Sequence, residues 1–255
     1  MIKKEGNNMF EKFKCYPEDK SIKNLFRTNF ISRQPIYAFL KNKSSDMKGT
    51  IVDFGCGNMP YRDLFINAEH YIGLDVDTAK TYGFNANGIT YYDGKNIPFD
   101  DESVDCIISM QVFEHIEDLE YTLKEIRRVL YPGGVLCFTC PMVYPIHYMP
   151  YDFRRFTNYG IMAMLERHGF NNIEISGSNR MIDTVRYLKI SRTIRPFRKL
   201  YALYANLLFL YGNSGMKQIF DNVENRVRKI LGRSRKVEDL MELPLNYFVF
   251  CKKSV

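Results

Sequence analysis

The 255-residue sequence lacks any long apolar run, and this absence excludes two classes of protein. Its first fifteen residues, MIKKEGNNMFEKFKC, have no apolar centre of the kind that a secretory signal peptide contains. The longest apolar stretch, residues 201–211, would cover about half of a hydrocarbon core that is roughly 30 Å thick. We therefore expect a cytoplasmic protein without a membrane span, which leaves open a peripheral contact with the inner face of the membrane.

The sequence also lacks a disulfide framework and a recognisable metal motif. One C-x-x-C pair, Cys137 and Cys140, lies in an apolar run that predicts a buried strand at residues 135–140. Residues three apart on a strand face opposite sides, and no second cysteine pair is present to complete a zinc site. The sequence therefore predicts no metal site.

Excess positive charge is absent from most of the chain and is concentrated in one segment. The formal net charge is +7, from 36 Lys and Arg against 29 Asp and Glu. Residues 180–236 alone carry +11, whereas residues 1–179 carry −3 and residues 237–255 carry −1. Any anionic partner is therefore expected at this basic segment. Six of its cations lie shortly before the apolar stretch at residues 201–211: Arg186, Lys189, Arg192, Arg195, Arg198 and Lys199.

From residue 49 onward, short apolar runs alternate with helical patterns, as is typical of a parallel sheet covered by helices. We predict a Rossmann-like α/β fold: a seven-stranded, mostly parallel sheet with helices on both faces and a helical insertion before the last strand. Helices are predicted at residues 118–130 and 158–168. Pro132–Gly133–Gly134 is expected to end the first helix, and Thr157 is expected to cap the start of the second. The strands are predicted at residues 50–54, 70–75, 89–93, 104–110, 135–140, 172–176 and 246–251.

Three regions follow from this pattern. Residues 1–48 are expected to form an N-terminal helical flap over the sheet edge. Residues 49–178 and 242–255 form the Rossmann-like domain. Residues 179–241 form a basic helical insertion or lid with two or three helices.

A glycine turn and three aspartates mark a ligand site at one edge of the predicted sheet. The run IVDFGCGNMPY (51–61) predicts a strand, a turn that lets backbone approach a ligand, and a helix that begins at Pro60. Asp53, Asp75 and Asp93 stand at the ends of three consecutive strands, and the second lies where ribose hydroxyls would be held. A dinucleotide-dependent dehydrogenase is disfavoured, because Pro60 replaces the third glycine of its G-x-G-x-x-G motif.

Residues 49–177 resemble a class I S-adenosylmethionine-dependent methyltransferase of the methyltransferase type 11 group. The resemblance rests on VDFGCG (52–57), YIGLD (71–75), YDGKNIPFDDESVDCIISMQVFEHI (92–116) and LKEIRRVLYPGGVLCFTCP (123–141). It implies an enzyme with S-adenosyl-L-methionine as its cofactor. One departure is Met59, which stands at the family's third glycine and is expected to make the loop less open.

The resemblance also implies a role for each matching residue in the cofactor site. By position, Asp75 would bind both ribose hydroxyls, and Asp93 with Gly94 would contact the adenine. Gln111 would lie beside the methyl group. The residues that would line the methionine moiety are Asp53, Gly55 and Gly57.

Two further clusters are candidates for the acceptor side. His115 follows strand four and is the better base of the Glu114–His115 pair, although it could instead make a structural hydrogen bond. In the run PMVYPIHYMPYDFRRFT (141–157), His147 and Asp152 are expected to face the acceptor, with Arg155 orienting an anionic or polyhydroxylated group. The alternative is that Asp152 and Arg155 pair only to fix a long loop.

The acceptor is predicted by resemblance alone. Relatives with the P-Y-D-x-x-R-F-T run are met in cell-envelope pathways, which implies a small-molecule or glycan acceptor, such as a sugar hydroxyl or a lipid-linked glycan. An RNA methyltransferase that uses residues 180–236 and a non-catalytic cofactor-binding module are the alternatives. Residues 180–211 could contact an anionic membrane or act only as a substrate lid. The sequence carries no signal for an oligomeric state.

Overall fold

The computed structural model describes residues 30–84, 86–178, 181–192, 195–211 and 244–255, and seven strands in these ranges form one sheet. The strand order is β3-β2-β1-β4-β5-β7-β6, with β7 antiparallel to both of its neighbours and all other pairs parallel. The predicted Rossmann-like, mostly parallel sheet is thus confirmed. The strands are β1 (Gly49–Phe54), β2 (Ala68–Val76), β3 (Ile89–Tyr92), β4 (Val104–Met110), β5 (Leu130–Pro141), β6 (Phe170–Gly177) and β7 (Asn246–Lys253).

The order of the strands reverses between β1 and β4. From β1 the chain adds strands outward on one side, and from β4 it adds them on the other. In open α/β sheets, ligands bind at the carboxyl ends of strands beside such a switch point. The loops that follow β1, β2, β4 and β5 therefore meet at one edge.

In the described part of the chain five α-helices accompany the sheet, and two of them begin at a capping side chain. The Thr157 hydroxyl accepts a hydrogen bond from the Gly160 amide (3.1 Å), as predicted, and an Asp118 carboxylate oxygen accepts one from the Tyr121 amide (3.0 Å). The helices are α1 (Phe30–Lys43), α2 (Leu119–Val129), α3 (Asn158–Arg167), α4 (Met181–Arg192) and α5 (Arg195–Tyr211).

Helices cover both faces of the sheet, as the strand patterns predicted. One core joins α2 and α3 to strand residues such as Val52, while the other joins α1 to strand residues such as Ile51. Cys137 and Cys140 are fully buried in these two opposite cores. Their side chains therefore point to different faces and do not form a joint site.

Two local predictions were wrong. No α-helix begins at Pro60: residues 55–67 contain only a 3₁₀ turn, Arg62–Leu64. Such a short segment leaves little length for a helix, because a crossover between parallel strands needs a dozen or more residues. The helix α2 ends at Val129 and passes directly into β5, so Pro132–Gly133–Gly134 lies within the strand rather than between the two elements.

The helices outside the central domain pack together. Helix α1 lies on a face of the sheet rather than over its edge: Phe39 stacks on Phe248 of β7, with ring centroids 4.8 Å apart. A third core joins Ile31 of α1 to Tyr187 of α4 and Ala202 of α5. The remaining parts of the predicted flap and insertion, residues 1–29, 179–180, 193–194 and 212–241, lie outside the described residues.

The domain boundaries stay a prediction. Within the described ranges, no helix combines the length and the apolar character that a membrane crossing requires.

Candidate active site

The glycine loop after β1 is fixed against β2 and leaves no space for a side chain at Gly55. The amides of Gly55 and Cys56 donate hydrogen bonds to the Leu74 carbonyl oxygen (2.8 and 3.2 Å). Gly55 has φ +71°, and a Cβ there would lie 2.5 Å from a Val112 methyl. A Cβ on Gly57 (φ +51°) would meet nothing nearer than the Phe84 ring at 3.6 Å. The loop is therefore tight on its inner side and open at Gly57.

Replacing Gly55 with alanine is expected to lower the free energy of unfolding by about 2–4 kcal/mol, since overpacking adds to the cost of a left-handed L-residue. Gly83→Ala is the matched control. Gly83 has φ +82°, and a Cβ there would meet no atom within 4 Å, so this variant should lose only about 1–2 kcal/mol. Urea unfolding of the two variants measures the difference, and equal losses would contradict the close packing at Gly55.

Asp75 connects the glycine loop to the end of β2. One carboxylate oxygen accepts a hydrogen bond from the Gly57 amide (2.9 Å), and the other accepts one from the Val76 amide (2.8 Å). Burial raises the pKa of Asp75, while these two amides act in the opposite direction. Each carboxylate oxygen has a second lone pair. Asp75 can therefore still accept two hydroxyl donors, so its role toward ribose stays a prediction that the geometry permits.

Asp53 lies beneath the loop and is only 2% exposed. The Tyr71 hydroxyl donates a hydrogen bond of 2.6 Å to its carboxylate. Burial raises the pKa of Asp53 to about 7, the Tyr71 hydrogen bond acts against this, and the charge of Asp75 adds to it. Near neutral pH both the protonated and the ionised form of this carboxyl group are therefore populated.

The residues after β3 and β4 complete the edge. An Asp93 carboxylate oxygen accepts hydrogen bonds from the Lys95 and Asn96 amides (2.8 and 3.1 Å), which fixes a turn that contains Gly94 at φ +83°. Gln111 has φ +61°, a conformation that is uncommon for residues other than glycine and is often found at functional sites. Its amide and its side-chain Nε2 donate to Thr139 (3.0 and 3.1 Å).

Met59 affects the loop through its backbone rather than its bulk. Its φ is +50° and its side chain is 8% exposed. A Cβ on Gly73 would lie 2.8 Å from the Met59 sulfur, so the Met59 side chain packs directly over β2. It therefore contributes little to the surface that a ligand would meet.

The loops after β4 and β5 bring two histidines together. The Phe153 amide donates to the Glu114 carbonyl oxygen (2.9 Å), which fastens one loop to the other. The rings of His115 and His147 meet edge to face, with centroids 4.7 Å apart. These two predicted residues, which are far apart in the chain, therefore form one cluster at the same edge as the glycine loop.

In both histidines Nδ1 faces acceptors. The Nδ1 atom of His115 lies 2.6 Å from the Tyr151 carbonyl oxygen. The Nδ1 atom of His147 lies 3.2 Å from the Pro145 carbonyl oxygen and 3.3 Å from an Asp152 carboxylate oxygen. Because these oxygens only accept, Nδ1 carries the proton and Nε2 keeps its lone pair in the neutral ring. Burial and the neighbouring His115 lower the pKa of His147, which favours this neutral form.

The sequence placed Glu114 beside His115 as the weaker base, but its burial and its place next to His147 were not predicted. Its side chain is fully buried, and neither carboxylate oxygen has a hydrogen-bond partner in the described part of the chain. Burial raises the pKa of Glu114 to about 8. One of its oxygens lies 3.7 Å from Nε2 of His115.

Asp152 and Arg155 pair within the loop after β5. The guanidinium donates to both carboxylate oxygens (2.5 and 2.7 Å) and also to the carbonyl oxygens of Tyr144 and Pro145 (3.2 Å). Arg155 holds the pKa of Asp152 well below its usual range. Asp152 in turn accepts the amide hydrogen of His147 (2.9 Å). This geometry matches the alternative in which the pair fixes the loop, and a direct role toward an acceptor stays a prediction.

One cation of the basic segment is not available to an anionic partner. Arg186 is 7% exposed and pairs with the buried Asp183 at 2.8 Å. It therefore supports the packing of α4. Lys199 is exposed, whereas much of the segment lies outside the described residues.

Comparison with known proteins gives consistent matches. Residues 52–138 match a family described as a methyltransferase domain. The chain is 31% identical over 140 residues to malonyl-[acyl-carrier protein] O-methyltransferase 1 of Coxiella burnetii, covering 51% of this chain and 49% of that one. It is 38% identical over 95 residues to the probable tRNA methyltransferase 9B of Homo sapiens, covering 34% and 20%. The chain thus spans half or less of the length of these curated relatives.

A solved structure supports the fold over a larger share of the chain. A structure of a SAM-dependent methyltransferase from Archaeoglobus fulgidus matches with a TM-score of 0.57 at 15% identity, covering 91% of this chain and 100% of that one. At this identity the likeness concerns the fold alone.

Proposed function

Because the chain belongs to the class I S-adenosylmethionine-dependent methyltransferases, we propose that it transfers a methyl group from S-adenosyl-L-methionine to a non-protein acceptor. The most specific form of this proposal is a sugar hydroxyl or a lipid-linked glycan intermediate of cell-envelope biosynthesis. The observation that carries the proposal is the edge where the glycine loop, Asp75 and Gln111 meet beside the strand-order reversal.

The residues at this edge fit the cofactor chemically. Asp75 offers carboxylate oxygens to a vicinal diol, and the open side of Gly57 leaves backbone exposed for close approach. Asp53, buried at the end of β1 beneath the loop, would offer a carboxyl group to a cationic amino acid moiety once the cofactor is bound. Asp93 and Gly94 form a fixed turn where an adenine would lie.

The bound cofactor supplies an electrophilic methyl group on a sulfonium. The protein's main contribution is alignment, since holding two reactants in place is worth on the order of 7–11 kcal/mol. Gln111, held by Thr139 in its left-handed conformation, orients the region next to the methyl group. A hydroxyl acceptor must also lose a proton, and this task falls to the cluster of Glu114, His115 and His147.

The cofactor affinity is expected to rise about tenfold per pH unit below pH 7 and to level off above it. In the free protein Asp53 is protonated below its pKa of about 7, whereas the cationic amino group of the cofactor favours the ionised form. Binding therefore releases a proton in this range. Calorimetry of S-adenosylhomocysteine binding between about pH 5 and pH 8, in buffers of different ionisation enthalpy, measures both effects.

Asp53→Asn is the matched variant, because an asparagine oxygen can still accept the Tyr71 hydroxyl. It should bind more weakly near pH 8 and lose most of the pH dependence. A wild-type affinity that stays flat across this range would contradict the assignment of Asp53.

An exposed stripe on α5 supports a lipid-linked acceptor. Leu200 and Tyr204 are 64% and 57% exposed, and they share a helix face next to the exposed Lys199. A surface with apolar and cationic side chains suits an anionic membrane. Liposomes with anionic lipid should retain the protein at low salt and release it as salt rises. No retention at low salt would remove the membrane part of the proposal.

The acceptor class is tested by incubating the protein with methyl-labelled cofactor and fractionated cell extract. Label in the lipid or polysaccharide fraction is the expected result. Label in RNA would favour the alternative that uses residues 180–236. Bound S-adenosylhomocysteine without label in any fraction would favour a non-catalytic cofactor-binding module.

A further inference from the structure

We infer that Glu114, His115 and His147 bind a divalent transition-metal cation of the Zn²⁺ type at the carboxyl edge of β4 and β5. Only the role of the cation in methyl transfer rests on the proposed function. Whether the cation binds is a property of the protein alone and can be measured without cofactor or acceptor.

The three side chains are placed as ligands of one ion. Each offers one ligand atom, and these atoms all lie within 4.8 Å of one another. Nε2 of His115 is 3.7 Å from a Glu114 oxygen. With metal–ligand bonds of roughly 2.0–2.2 Å, ligand atoms around a tetrahedral ion stand about 3.3–3.6 Å apart. Small rotations of the side chains are therefore enough to close the site.

Both imidazoles are already oriented for coordination. His115 directs Nδ1 at the Tyr151 carbonyl oxygen, and His147 directs Nδ1 at Pro145 and at Asp152. A histidine that binds a metal almost always donates its other ring N–H to a carbonyl or a carboxylate, which fixes the tautomer. These contacts leave the Nε2 lone pairs for the metal. Because Asp152 contacts both Nδ1 and the amide of His147, the Asp152–Arg155 pair has a positioning role for this imidazole.

The buried carboxylate of Glu114 points to a bound cation independently of the histidine geometry. Buried carboxylates are normally hydrogen-bonded or paired, yet both oxygens of Glu114 lack a hydrogen-bond partner among the described residues, and the side chain is fully buried. A cation held between Glu114 and the two imidazoles satisfies this carboxylate. No cysteine is needed, so the C-x-x-C pair has no part in the site.

Two imidazoles and one carboxylate leave at least one coordination position open, as in catalytic rather than structural zinc sites. An acceptor hydroxyl in that position would have a lowered pKa. Its proton passes to solvent, the oxygen forms a bond to the methyl carbon, and the carbon–sulfur bond breaks with its electron pair left on sulfur. The cation thus replaces a side chain as the means of removing the proton.

The test is titration of chelator-treated full-length protein with Co²⁺ alone, followed by its visible absorption spectrum. We expect one equivalent to bind with the bands of a four- or five-coordinate ion and without a thiolate charge-transfer band. His147→Ala and the nearly isosteric Glu114→Gln should each lose more than about 100-fold in affinity, since even removal of an outer-sphere partner costs about 10- to 100-fold. His70→Ala, at an exposed histidine of β2, is the matched control and should bind as the wild type does.

No uptake of Co²⁺ by the wild type, or an equal loss in the His70 variant, would overturn the inference. Circular dichroism of each variant separates loss of ligand from loss of fold. A protein that binds Co²⁺ but not S-adenosylhomocysteine would contradict the proposed function and leave the metal site standing. A protein that binds S-adenosylhomocysteine but not Co²⁺ would overturn the metal site and leave the proposed function standing.

Discussion

Replacing Asp75 with alanine is expected to weaken S-adenosylhomocysteine binding by about 10²- to 10⁴-fold. Two hydrogen bonds from ribose hydroxyls to a carboxylate are each worth about 1.5–3 kcal/mol, and 1.4 kcal/mol corresponds to roughly a factor of ten. The same carboxylate also holds the Gly57 amide at 2.9 Å, so the glycine loop loses its anchor at the same time. Isothermal calorimetry measures the loss directly.

Asp77→Ala is the control for this prediction. Asp77 is an exposed carboxylate two residues farther along, paired with Lys80 at 2.9 Å. Its removal changes the local charge as much as that of Asp75 but removes no predicted ribose contact. Similar affinities of the two variants would contradict the placement of the ribose at the end of β2.

Replacing His147 with alanine is expected to reduce turnover by about 10²- to 10⁴-fold, the usual contribution of a positioned proton-transfer group. His147 lies 4.7 Å from His115, ring to ring, and presents an Nε2 lone pair. The loss is expected whether that nitrogen accepts the acceptor's proton or binds a cation that acidifies the hydroxyl. Cofactor affinity should stay unchanged, because the cofactor contacts lie after β1 to β4.

The readout for this variant is methyl transfer to the fraction identified with labelled cofactor. His70→Ala, at an exposed position, should keep full turnover. A His147→Ala protein with normal cofactor binding and full turnover would eliminate His147 from the chemistry.

The sheet could be predicted from the sequence because its signals are local. β-Branched and apolar runs such as residues 104–110 match the observed strand, and the alternation of strands with helices implies their parallel arrangement. The missing helix after β1 could not be predicted in the same way. Pro60 suits a helix start, yet the short distance in sequence to β2 decides the local structure.

The residues of the site could likewise be predicted only where their placement follows from local sequence signals. Asp53, Asp75 and Asp93 could be placed at one edge because the carboxyl ends of parallel strands meet there. The pairing of Asp152 with Arg155 could be foreseen as an alternative. The carbonyl oxygens of Tyr144 and Pro145, which Arg155 also contacts, could not, because backbone groups leave no mark in the sequence. The contact of Glu114 with the His115–His147 pair depends on two loops from different strands, which only the folded chain brings together.

We propose above all that the sheet edge after β1 to β4 binds S-adenosylmethionine as a methyl donor. Calorimetric titration of the purified protein with S-adenosylhomocysteine tests it most directly, with the Asp75→Ala variant run alongside. We expect one binding site per chain in the wild type and a large loss of affinity in the variant. No binding to the wild type, or equal binding to both proteins, would contradict it.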